Sequence, residues 1–354
     1  MKHTPKNLLV TGGAGFIGSN FVHYWLQQYP NARVVVLDAL TYAGNRSNLA
    51  AVEDKPQFSF VHDDILNTAL VEKLLREEAI DTLVHFAAES HVDRSIYGPD
   101  AFFKTNIDGT HSLLKAAKKV WLDSGETPHR FHHVSTDEVY GTLEADEPGF
   151  TERHQYLPNS PYAASKAASD HIVRSYHHTY GLNTTISNCS NNYGPYHFPE
   201  KLIPLIIVNC LEGKPLPIYG DGKQIRDWLY VEDHCRGIDL ILNDGRVGQV
   251  YNIGGNNEWA NIDIVTLVCE LLDAHHPEGA PHTDLITHVT DRLGHDRRYA
   301  INASKIMSEL GYKPQETFES GIRKTVDWYL NNERWWRSVG DGSHKEWLTE
   351  NDPR

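Results

Sequence analysis

The chain has 354 residues, 40% of them hydrophobic and 23% charged, with 26 glycines and 17 prolines. This ordinary globular composition excludes a disordered, collagenous or coiled-coil chain, and about 150 residues per domain suggests two domains. Thirty-three Lys and Arg against 47 Asp and Glu give a formal charge of −14, so the basic footprint of a nucleic-acid partner is missing.

In chain order, short apolar runs at Asn7–Thr11, Arg33–Asp38, Phe58–His62, Thr82–Ala87, Phe131–Ser135 and Thr184–Asn188 read as buried strands. Between them, helical patterns fall at Phe16–Tyr29, Thr68–Glu78, Asp100–Leu122 and Ser160–Tyr180. Apolar strands alternating with helices predict an α/β fold: a doubly wound, Rossmann-type parallel sheet covered on both faces, with ligands at the carboxyl ends of its strands. The second half is less regular. It has turn-rich segments at Asn192–Glu200 and Gly213–Lys223, a helix at Val231–Leu242 and a strand at Gln249–Ile253. The chain is therefore expected to leave the first domain and re-enter it. Residues 1–188, joined again by about 229–258, form a dinucleotide-binding domain. Residues 189–228 and 259–354 form a smaller α/β substrate-binding domain. The tryptophan-rich tail from Trp328 reads as packing.

The N-terminal apolar run is only Leu8–Val10, and the longest apolar stretch, Leu202–Leu211, is about half a membrane span and carries Pro204. Neither a secretory signal nor a membrane helix is expected. Cys189, Cys210, Cys235 and Cys269 have no CxxC spacing and read as buried thiols of a cytoplasmic protein. Sequons at Asn45, Asn183, Asn188 and Asn302 then carry no weight. The 21 histidines are scattered without ligand spacing, so no metal is expected.

Residues 8–19 read as strand, glycine turn and helix start. Gly12, Gly15 and Gly18 let the backbone turn tightly and approach a pyrophosphate, which the helix N-terminus then receives. Asp38 ends the next strand twenty residues past Gly18, where a carboxylate binds a ribose hydroxyl and repels a 2′-phosphate, favouring NAD over NADP. Asp64, after the third strand, reads equally as an adenine contact or a helix cap. Ala87 and Ala88 follow the fourth strand and leave room for the cofactor.

Tyr162 and Lys166 stand at i and i+4 on one helical face. The ammonium can lower the phenol's pKa and hydrogen-bond the cofactor ribose, and the phenolate can take a hydroxyl proton while hydride leaves the same carbon. Ser135 and Thr136 close the fifth strand beside them. Asp137 and Glu138 add two carboxyls just beyond. In isolation they read as a solvated turn. In this scaffold they are the extra acid and base that a water elimination needs.

This combination resembles the extended, nucleotide-sugar branch of the short-chain dehydrogenase/reductase superfamily over nearly the whole chain. Four segments, 88–95, 135–141, 190–203 and 226–234, resemble the dTDP-glucose 4,6-dehydratase family in particular. Leu293 stands where that family usually has proline, which loosens a substrate-side loop without removing a polar contact.

The resemblance implies an NAD-dependent hydro-lyase that turns dTDP-glucose into dTDP-4-keto-6-deoxyglucose. Tyr162 acts as base at the C4 hydroxyl with Thr136 on O4, Glu138 as base at C5 and Asp137 as acid at C6. Asp137 must then start protonated, through burial. The resemblance adds Phe16, Ile17, Ile65, Ser135 and Asn192 to the cofactor contacts. For the sugar nucleotide it implies Arg226 and Arg292 at the pyrophosphate, with Asn191 and Asn261 as neutral donors. Lys201, Leu202, Pro217 and Tyr219 hold the nucleoside, and Ser90, Glu200 and His295 are further contacts. It also implies a homodimer, through the helices at 100–122 and 160–180. A nucleotide-sugar 4-epimerase, or a dehydratase for another base, shares most of this machinery.

Overall fold

The structure, a computed structural model, describes residues 3–125, 127–291 and 295–340. Arg292 and Leu293 lie outside the described residues.

Six parallel strands come first: β1 (Asn7–Thr11), β2 (Arg33–Asp38), β3 (Phe58–His62), β4 (Thr82–His85), β5 (Arg130–Thr136) and β6 (Thr184–Cys189). β1, β2 and β4 are Val- and Leu-rich, and every strand except the edge strand β3 is almost wholly buried, as a sheet covered on both faces requires. The short strand β7 (Asn191–Tyr193), β8 (Leu216–Tyr219) and β9 (Ile225–Tyr230) follow, and β10 (Val250–Ile253) then returns to pair with β6. The seven-stranded order is β10-β6-β5-β4-β1-β2-β3. The order reverses between β1 and β4, which opens the ligand crevice of a doubly wound sheet there. The α/β, Rossmann-type expectation is met.

The last strands are β11 (Glu258–Ala260) and β12 (Ile286–Val289). They complete a three-stranded sheet, β11-β9-β7, and a two-stranded one, β12-β8. The segments 192–200 and 213–223, expected as turns, thus also hold the end of β7 and all of β8. Three- and four-residue strands are too short to show a period in sequence.

One face of the large sheet packs on the helices Phe16–Gln28 and Val231–Asp244, and residues 301–312 join that core. The other face packs on the helices Thr68–Glu77, Thr110–Lys118 and Pro161–Tyr180. A separate core joins the helices Leu202–Leu211, Asn261–His275 and Phe318–Asn331 to β8 and β9. Trp336 is buried in it and donates from Nε1 to Tyr329 O at 3.1 Å, so the tail packs. All four cysteines are buried and free. Among the described residues no helix is long and apolar enough to cross a membrane, and no group of three metal-ligating side chains occurs.

Candidate active site

A cavity of about 1290 Å³ lies at the carboxyl ends of the strands and runs from Gly12 and Asp38 to Tyr219 and His295 in the second core's half. Every described residue named above as a catalytic, cofactor or substrate contact lines it except Asp137.

The glycine turn builds one end from backbone. Gly12 has φ +70°, and a Cβ there would stand 2.5 Å from Ala87 N. A Cβ at Gly18 would stand 2.2 Å from Gly12 O. Gly15 caps the following helix with no side-chain hydrogen bond, leaving that N-terminus, with its positive dipole end, to an anion. Asp38 Oδ2 accepts from Ala14 N at 2.9 Å and Oδ1 from Leu40 N at 2.8 Å. Burial pushes its carboxyl upward, and those two amides pull it partly back. A cradle with no room for a Cβ, an uncapped helix start and a carboxylate at the end of β2 fit a dinucleotide with an unphosphorylated ribose. Asp64 does not cap the helix: Asn67 does, accepting from Leu70 N, and Asp64 Oδ1 accepts from Leu66 N at 2.9 Å.

In the middle of the cavity, the helix Pro161–Tyr180 carries Tyr162 and Lys166 on its buried face. Ser160 caps it, accepting from Ala163 N, and proline stands in its first turn, so its start is fixed beside β5. Thr136 is the hub. Its hydroxyl donates to Asp137 Oδ1 at 3.3 Å, accepts from Glu138 N at 3.3 Å and hydrogen-bonds Tyr162. Asp137 is turned inward and 1% exposed, and its Oδ2 has no hydrogen-bond partner. Burial, then Glu138 and Asp227, push its carboxyl well above the usual carboxylate value, the direction a general acid needs.

The expected effect of Lys166 on Tyr162 is not seen. Burial, then Glu138, pushes the phenol well above its ordinary value, and only the Thr136 hydrogen bond lowers it appreciably. Lys166 Nζ instead donates to Val134 O at 2.8 Å. The hydroxyl of Ser135 is also committed, to Asp170 Oδ2 at 2.9 Å.

At the far end, Arg226 Nη1 donates to Ile225 O at 2.8 Å, Nη2 donates to Asp296 O at 3.0 Å, and the guanidinium lies 4.2 Å from the Tyr299 ring centroid. The unpartnered buried atoms of Asn191 and Asn261 are amide oxygens. These oxygens can accept from a ligand, and the amide nitrogens beside them can donate. Glu200 is paired with Arg94 at 3.0 Å, and Lys201 Nζ donates to Ser90 O at 3.0 Å. These contacts tie the 198–202 segment to the loop after β4. His295 donates from Nδ1 to Asp291 Oδ1 at 2.6 Å and packs edge-on to Tyr219.

Sequence reasoning missed three contributors. Asn106 sits on a π-helical stretch, Phe103–Gly109, and joins the Glu89 backbone to Ser165. No sequence period marks a π turn. Tyr299 reaches the wall through an isolated bridge segment without a pattern. Asp170 was findable: it continues the 162/166 spacing by four.

The protein-family model for GDP-mannose 4,6 dehydratase matches residues 9–325. The dTDP-glucose 4,6-dehydratase of Xanthomonas campestris pv. campestris strain B100 is 58% identical, covering 95% of this chain and 97% of its own. The crystal structure of that enzyme from Streptomyces venezuelae, with NAD bound, superposes with a TM-score of 0.87 at 49% identity, over 94% of this chain and 99% of that one. The UDP-glucose 4-epimerase of Thermus thermophilus, in complex with NAD, gives 0.81 at 30% identity, over 92% and 99%. The fold is thus shared with epimerases, whereas the high identity lies with the dehydratases. The chain belongs to the dTDP-glucose 4,6-dehydratase family of extended short-chain dehydrogenases/reductases.

Proposed function

We propose that the protein is an NAD-dependent hydro-lyase that converts dTDP-glucose to dTDP-4-keto-6-deoxyglucose. The observation that carries this reading is the pair Asp137–Glu138 beside Tyr162, with Asp137 buried and its carboxyl pushed toward the protonated form. A 4-epimerase has no use for a second acid. The glycine turn Gly12–Gly18 and Asp38 would hold NAD, which would supply a reversible hydride acceptor for the C4 and C6 carbons.

The chain's own residues move the protons. Tyr162 takes the O4 proton while the Thr136 hydroxyl holds O4. The Tyr162 phenol, raised by burial and Glu138, must be ionised for this step, which the positive charge of bound NAD would favour. The resulting ketone acidifies C5–H, and Glu138 removes that proton. Asp137 protonates O6, which leaves as water. Glu138 then returns its proton to C5. A proton passed from Tyr162 to Asp137 restores both groups, so the net change is loss of one water.

Residues 1–188 with 229–258 hold the dinucleotide, and 189–228 with 259–354 hold the sugar nucleotide. Asn191, Arg226 and Asn261 stand at its sugar and diphosphate, and Pro217 and Tyr219 at its base. The exposed Phe103 and Tyr180 lie on the two helices that would pair across a two-fold axis in a homodimer, which sedimentation at micromolar concentration tests. Four buried free thiols suit the reducing cytoplasm.

Incubation with dTDP-glucose should give an alkali-detectable keto sugar with no net NADH. Asp137→Asn should lose about 100-fold or more in that rate while still forming enzyme-bound NADH. Interconversion with dTDP-galactose instead would overturn the reading.

A further inference from the structure

We propose that Asp170 is a positioning residue for the reaction: its carboxylate, fixed through one oxygen by Ser135 and Tyr156 and one helical turn beyond Lys166, keeps that lysine an ammonium at the cavity wall. The inference rests on reading Tyr162 and Lys166 as the catalytic pair. Tyr162, Lys166 and Asp170 recur every fourth residue and share the buried face of one helix. Asp170 is 2% exposed and Lys166 is 4% exposed. Asp170 Oδ2 accepts from Ser135 Oγ at 2.9 Å and from Tyr156 OH at 3.0 Å. His133 Nε2 stands 3.1 Å from Oδ1. Tyr156 OH is itself fixed, accepting from Asn188 Nδ2 at 3.1 Å. Three elements, β5, β6 and the segment before the helix, thus converge on a carboxylate that no proton-transfer step above uses.

Its position explains why it is there. Burial alone would neutralise an amine as enclosed as Lys166. Asp170 is the foremost charge opposing that loss, and Lys166 in turn is the foremost charge lowering Asp170, which burial pushes up to about 6. The other titratable groups facing the pair are His85 on β4, His133 on β5, Cys189 on β6, Tyr140 and Tyr156 before the helix, and His171 on it. Burial holds His85 and His133 neutral, and pushes Tyr140 and Tyr156 far up. No other carboxylate stands among these groups, so the lysine's counter-charge is Asp170.

The test uses the NAD-loaded protein and the pH dependence of kcat for keto-sugar formation. Asp170→Asn should lower kcat about ten-fold or more with KM for dTDP-glucose little changed. It should also move the alkaline limb, where Lys166 loses its proton, down by about one pH unit or more. Asp170→Glu, which keeps the charge, should hold that limb near its native position. Tyr156→Phe should move it the same way by less, and decides the matter if Asp170→Asn does not fold. An unchanged limb in Asp170→Asn, with Lys166→Met inactive, overturns the role of Asp170 alone. An active Lys166→Met overturns the reading of the catalytic pair and Asp170's role with it.

Discussion

The two ends of the cavity are built in different ways. The dinucleotide end is made of backbone: a glycine turn pressed against Ala87 and Gly12 O, and amides that hold Asp38. The sugar-nucleotide end is made of side chains delivered by β7, β8, β9 and the segments around 200, 261 and 295, and tied together by pairs such as Arg94–Glu200. Backbone sites tolerate no added atom. Side-chain sites tolerate change and respond to pH.

The largest effect that would sharpen this contrast is Gly18→Ala. Its methyl would meet a carbonyl oxygen that cannot move without unwinding the turn. A loss of about 3 kcal/mol of stability is expected, together with loss of co-purifying NAD. Thermal melting and the nucleotide absorbance of the purified protein check it, and native NAD content in this variant would break the contrast.

A smaller effect should come from Glu200→Gln at the other end. Burial outweighs Arg94 and Lys201 there and pushes the Glu200 carboxyl from 4.5 up to about 7. A folded-state pKa above the unfolded value means that the folded state holds the proton more tightly. The stabilisation is therefore complete below about pH 4.5 and declines as pH rises through about 7. A shift of this size amounts to about 3 kcal/mol across that window. Glu200→Gln should flatten that part of the melting temperature's pH profile while NAD retention stays native. A profile as steep as the native one would show that Glu200 does not carry this part of the pH dependence.

Legibility in the sequence followed the same division. β1 and β2 begin and end where the apolar runs do, because strands buried on both faces are apolar nearly throughout. The glycines and Asp38 were readable because their spacing along the chain is the spacing of the site. β7, β8, β11 and β12 were not, since three or four residues carry no period. Asp64 could not be assigned until Asn67 was seen to cap the helix.

The sequence by itself determined the α/β class, the strand–glycine–helix unit, the acid–base residues on and beside one helical face, and the family. Those features are local, and local spacing is covalent geometry. Only the tertiary structure decided that Lys166 hydrogen-bonds Val134 O and is not among the groups that lower the Tyr162 phenol. Only it showed that Asp137 is shut away from water, and that the hydroxyl of Ser135 belongs to Asp170. Charge state depends on burial and on neighbours brought from other strands, and neither is a property of the order of residues.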